Sequence, residues 1–124
     1  MTGKGVDQLP PDVRRSVDNP EFQGILLSDP AKLVAPVRQP LLIVQGMLDT
    51  QVEPQNADLL ERLAKQRKNA GAVEVVKVPG VNHLLVPATT GEFSEYADLK
   101  DKRVSGVVTE AIVAWLNKTF SAAR

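Results

Sequence analysis

The chain reads as an α/β protein built on two parallel strands with flanking helices, and three observations carry that reading. The run Leu41-Leu42-Ile43-Val44-Gln45 is continuously apolar up to its last residue, without the alternation of a strand that keeps one wet face, so it suits a strand buried on both faces. A valine-rich run over 73–78 has the same design. Between them, over about 55–69, Leu59, Leu60, Leu63 and Ala64 recur at helical spacing, and Glu61 precedes Lys65 by one helical turn as a solvated pair. Strand, helix, strand in this order is a crossover unit, which joins parallel strands.

The remaining elements follow from local signals. Residues 1–8 are polar and glycine-containing and read as a flexible lead, leaving 9–124 as a single domain. From Leu9 to Pro36 the prolines act as helix starts. Asn19-Pro20-Glu21 and Ser28-Asp29-Pro30 each place a capping side chain before a proline at the first helical position, which predicts short helices over roughly 11–18, 20–27 and 30–35. In the second of these, Phe22, Ile25, Leu26 and Leu27 form a candidate apolar face. Gly71 is placed to end the crossover helix. A last helix is expected from Val104 to Phe120, with Val104, Val108, Ala111, Ile112, Trp115 and Leu116 on its core stripe and Ser105 as a possible N-cap. The connection from Leu84 to Arg103 is long for a compact domain, and such loops commonly serve function. Its Phe93 and Tyr96 suit either loop anchoring or the lining of a pocket.

Composition narrows the classes. With 124 residues and 43% hydrophobic content the chain can bury one core. Lys plus Arg and Asp plus Glu number 15 each, so no net field draws it to nucleic acid or to an anionic membrane. The absence of cysteine removes disulfides, thiolate metal sites and a cysteine nucleophile. The first residues lack the apolar core of a signal peptide, and no run approaches the ~18 apolar residues of a membrane span. A soluble chain, cytoplasmic by default, is the expectation.

In open parallel sheets, reacting groups gather beyond the carboxyl ends of the strands. Asp49 follows the first strand by a few residues, and His83, the chain's one histidine, follows the second. An acid and a histidine released at one sheet edge are two parts of a Ser-His-Asp triad, in which the carboxylate fixes the imidazole tautomer. Taken singly, Asp49 also reads as a turn cap and His83 as a loop histidine held by backbone hydrogen bonds. Glu53 beside this pair is weak evidence for zinc, because a second His or a Cys is lacking. A phospho-acceptor domain also presents an Asp after a strand, but the early acidic pair and later lysine it needs are missing. Neither a metal nor another cofactor is expected.

Asp29-Pro30, the run from Pro40 through Asp49 to Val52, Pro79-Gly80-Val81-Asn82-His83 and Ala114-Trp115-Leu116 together resemble the C-terminal part of an α/β-hydrolase of the esterase, dienelactone-hydrolase and prolyl-oligopeptidase-like kind. The likeness extends from about Asp29 to Phe120. It implies that Asp49 is the triad acid, that His83 is the general base, and that the substrate of the complete enzyme is a small ester or a peptide-like amide. Glu53 stands where this family commonly has proline. The larger departure is the nucleophile. No serine lies in a G-x-S-x-G elbow: Ser16 is flanked two residues away by Arg14 and Asp18, Ser28 by Leu26 and Pro30, and Ser94, Ser105 and Ser121 lack the glycines too. The chain is therefore expected to be a C-terminal fragment of a serine hydrolase, inactive alone. The alternative is a non-catalytic binding or assembly module derived from the same fold. Two strands make a meagre sheet, and the open apolar edge of residues 41–45 invites pairing. The expected partner is a second copy of the chain, forming a homodimer, or else the missing N-terminal half of the hydrolase.

Overall fold

The computed structural model describes residues 15, 19–68 and 71–121. The expected lead over 1–8 and, apart from Arg15, the helix over 11–18 lie outside them. The proline-led helices form where their caps predict. Helix α1, Pro20–Leu27, starts after Asn19, whose Oδ1 accepts the Glu21 N–H at 2.8 Å. Helix α2, Pro30–Val34, starts after Asp29, whose extended backbone lets Oδ1 accept the Ala31 N–H at 3.0 Å. Of the apolar face expected on α1, the side chains of Phe22, Ile25 and Leu26 lie outside the described residues, and Leu27 is exposed.

Strands β1, Leu41–Gly46, and β2, Val73–Val78, pair parallel in register from Leu41 opposite Val73 to Gly46 opposite Val78. The described chain is thus a small α/β protein with a two-stranded parallel sheet. The expectation that β1 is buried on both faces needs correction. Ile43, Gln45 and Gly46 are buried, but Leu41, Leu42 and Val44 are half-buried, because two strands give a sheet too narrow to be covered completely.

Helix α3, Gln55–Lys65, crosses between the strands and packs on both of them. It buries Ala57 and Ala64 rather than the whole leucine stripe. The line through Ala57, Leu60 and Ala64 faces inward, and Leu59, about 100° away round the helix, is left exposed. Lys65 and Glu61 form the expected exposed pair at 2.6 Å. The helix also ends earlier than Gly71. Past Lys65 the Arg67 guanidinium turns back, donating to Ala64 O at 2.6 Å and also to the carbonyls of Val37, Gln39 and Gly71. One buried side chain thus satisfies a carbonyl at the helix end and ties it to the approach of β1. Gly71 serves the strand entries instead. A Cβ there would lie 2.5 Å from the backbone nitrogen of Pro40, so a side chain would push the starts of β1 and β2 apart.

Helix α4, Gly106–Ser121, closes the core with Val108, fully buried against Val78 and Val81 and flanked by the half-buried Val44, Val76, Leu85 and Ile112. It starts two residues later than expected. Val104 precedes the helix and is exposed, as is Leu116 at its flank, whereas Ala111, Ile112 and Trp115 are half-buried. Ser105 stands at the helix entrance, where its carbonyl accepts the Thr109 N–H at 3.1 Å and its own N–H donates to Leu85 O at 2.8 Å. The connection over 84–103 has structure of its own: a bridge between Val81 and Pro87 and a 3-10 helix, Phe93–Ala97. Among the described residues no helix is long and apolar enough to cross a membrane.

Candidate active site

The two strands end level, and their exits are sewn together. Beyond β1, Met47 N–H donates to Val78 O at 3.0 Å and Leu48 N–H to Val81 O at 2.9 Å, so the acid loop continues the ladder onto the segment leaving β2. Gly46 makes this possible, because a Cβ there would lie 2.5 Å from Val81 O and 2.6 Å from Asn82 O. Neither oxygen belongs to a flexible side chain that could yield.

Asp49 and His83 meet at this edge, with His83 Nδ1 3.0 Å from Asp49 Oδ2. The acid is interior and the base is open: 8% of the Asp49 side chain is exposed against 39% of that of His83. Asp49 Oδ1 accepts the N–H groups of Val52 at 2.8 Å and Gln51 at 3.0 Å, which folds the acid loop around its own carboxylate. Oδ2 faces His83 and, at 3.4 Å, the side-chain amide of Gln45. Burial pushes the Asp49 pKa up. The Val52 N–H, the His83 hydrogen bond, the Gln51 N–H and the charge on protonated His83 together outweigh it, so the carboxyl stays below its usual 3.8.

His83 sits on a tight turn that Asn82 organises. Asn82 is fully buried, its Oδ1 accepts the N–H groups of Leu84 at 3.0 Å and Val86 at 3.2 Å, and its backbone N–H donates to Val86 O at 3.1 Å. The turn forces Leu85 to φ 58°, a left-handed conformation rare for leucine. Such strain beside a candidate functional histidine fits a turn held rigid by its surroundings. Asn82 Nδ2 is buried without a partner. Among the described residues nothing hydrogen-bonds to His83 Nε2, and the neutral Nδ1–H tautomer favoured by Asp49 leaves a lone pair there.

The 3-10 helix braces the acid loop from outside. Tyr96 Oη accepts from Gln51 Nε2 at 2.7 Å, Thr50 Oγ1 donates to Gly91 O at 3.1 Å, and the rings of Phe93 and Tyr96 pack with centroids 5.4 Å apart. Tyr96 thus anchors the loop, while Phe93 is exposed. Glu53 joins no cluster of metal-ligating side chains among the described residues.

The structure therefore brings the two sequence-predicted site residues together, and adds Gln45 and Asn82. An asparagine just before a loop histidine is a usable turn signal. Gln45 is visible in the sequence as the one polar residue of an apolar strand, but its target is not. Comparison with known proteins finds no matching family model, no matching curated protein and no matching solved structure.

Proposed function

We propose that this chain carries the acid–base half of a serine-hydrolase site, as a C-terminal portion of an α/β-hydrolase that acts on carboxylic esters or peptide-like amides. The observation that supports it is the 3.0 Å contact between the buried Asp49 and the open His83 at the carboxyl edge of a parallel pair. In the complete site a serine from outside these residues attacks the substrate carbonyl. His83 Nε2 takes the serine proton, Asp49 steadies the imidazolium through Nδ1–H, and His83 then delivers the proton to the leaving alcohol or amine. Backbone amides beyond this chain would hold the oxyanion.

One measurement suits the lone histidine. Nitrogen-15 NMR above the ordinary imidazole titration range is expected to show the Nδ1–H tautomer of His83, and Asp49→Asn to abolish that preference. A fluorophosphonate probe is expected to leave the isolated chain unlabelled. A dominant Nε2–H tautomer, or stoichiometric labelling of one serine, overturns the reading.

A second reading, a non-catalytic assembly module of the same fold, is favoured by the character of the β1 edge. Residues Leu41 to Gly46 carry no charge, whereas β2 carries Glu74 and Lys77, the kind of residue that guards an edge against pairing. The edge of β1 is the one suited to receive a strand from a second copy.

A further inference from the structure

We infer that Gln45 is a positioning residue for the Asp49–His83 pair, its side-chain amide fixing the carboxylate oxygen that faces the imidazole. The inference rests on the acid–base reading of that pair. Gln45 is the last residue but one of β1 and is 7% exposed, although a polar side chain at a core position is costly unless it is satisfied. Its Nε2 donates to Gly46 O at 2.9 Å, to Val52 O at 3.2 Å and, more weakly, to Asp49 Oδ2 at 3.4 Å. The three acceptors lie at the start, the middle and the far end of the acid loop, so one amide spans it.

The consequence is a carboxylate with no idle oxygen. Oδ1 is taken by the Gln51 and Val52 N–H groups, and Oδ2 is shared between Gln45 and His83. Rotation of the Asp49 carboxylate would break contacts at both oxygens at once. Because Val52 donates its N–H to Asp49 and gives its carbonyl to Gln45, the loop and the carboxylate are locked by the same residue. Without the amide the backbone donors would still hold Oδ1, but Oδ2 would keep His83 alone. The orientation of the imidazole would then depend on a carboxylate free to swing about its Oδ1 contacts.

Gln45→Met keeps length and volume and removes the donor. In this variant the share of Nε2–H tautomer of neutral His83 is expected to rise about threefold to tenfold over wild type, the equilibrium equivalent of one net hydrogen bond. Thermal unfolding should remain cooperative, which separates lost positioning from lost fold. An unchanged tautomer ratio in folded Gln45→Met overturns the inference. Should the variant not fold, the wild-type protein decides: the Gln45 side-chain amide signals should be protected from solvent exchange and should move with the protonation of Asp49. Signals that exchange freely or ignore Asp49 overturn it. The outcomes are separable from those of the acid–base reading. The wild-type tautomer tests that reading, whereas the change on removing Gln45, or the coupling of its amide to Asp49, tests this one.

Discussion

Asp49 and Arg67 are both charged groups taken out of water, and they solve that problem differently. Asp49 collects two backbone N–H groups, an imidazole and an amide. Its carboxyl titrates below 3.8 when folded, so its ionised form contributes stability that is fully present above 3.8 and is lost as pH falls through the lower folded value. Urea unfolding should therefore show Asp49→Asn less stable than wild type by about 2 kcal/mol at neutral pH, with the gap closing towards pH 2. A gap that does not change with pH would mean that the charge on Asp49 contributes nothing. Arg67 has no carboxylate among its hydrogen-bond partners and instead caps four carbonyls. Arg67→Met should cost about 2–4 kcal/mol by leaving buried carbonyls without donors, read from the same unfolding curves. At this scale the candidate site is half legible in the sequence. Asp49 and His83 announce themselves by standing after strand ends. Gln45, Asn82 and Arg67 do not, because their partners are backbone groups whose positions exist only after the chain has folded.

The elements most easily read are those whose signal is local. Asp29 before Pro30 caps α2 as its chemistry requires, and the register of β1 on β2 follows from two apolar runs joined by one helix. The end of α3 departs from its local signal because a distant group decides it: Arg67 reaches carbonyls about 30 positions earlier, and Gly71 is needed for its closeness to Pro40. The 3-10 helix is hidden in the sequence for a similar reason. Glu95 accepts the N–H groups of Thr89 at 2.7 Å, Gly91 at 2.8 Å and Thr90 at 3.0 Å, together with the Thr90 hydroxyl at 2.8 Å. Those donors, the Thr89 and Gly91 N–H groups first, pull its pKa from 4.5 to about 2. The clasp is thus complete above pH 4.5 and opens as pH falls towards 2. In wild type the Thr90 and Gly91 amide resonances should titrate with a midpoint of about 2, and in Glu95→Gln that step should vanish. A midpoint near the ordinary glutamate value would show that the clasp does not form. Because Gly91 and Tyr96 hold Thr50 and Gln51, the same titration should reach the acid loop.

For the molecule as a whole, the sheet is the decisive quantity. A two-stranded sheet buries little, and here the deepest core is a small cluster around Val78, Val81 and Val108. Val108→Ala should therefore cost about 2 kcal/mol, and a chain with so small a core will show that loss as a large drop in melting temperature. Two surfaces remain short of cover. One is the outer edge of β1, whose Leu42 and Val44 are half-buried and whose backbone groups on that side have no strand partner among the described residues. The other is the flank of α4, where Val113, Leu116 and Phe120 are exposed at spacings of three and four residues, the pattern of a helix with a second apolar stripe. Under the proposal that a second copy covers the β1 edge, sedimentation velocity should find a dimer at micromolar concentration. A lysine at the edge should then oppose it: position 42 is half-buried in the monomer, yet Leu42→Lys would place like charges near each other across a twofold strand pair. The variant is expected to sediment as a monomer at concentrations where wild type is dimeric, with Phe120→Ser as a comparison that leaves the β1 edge intact. If Phe120→Ser dissociates the dimer and Leu42→Lys does not, the copies meet through α4 instead. A wild-type chain that stays monomeric at every concentration would end the proposal of self-pairing and leave both surfaces to a different chain.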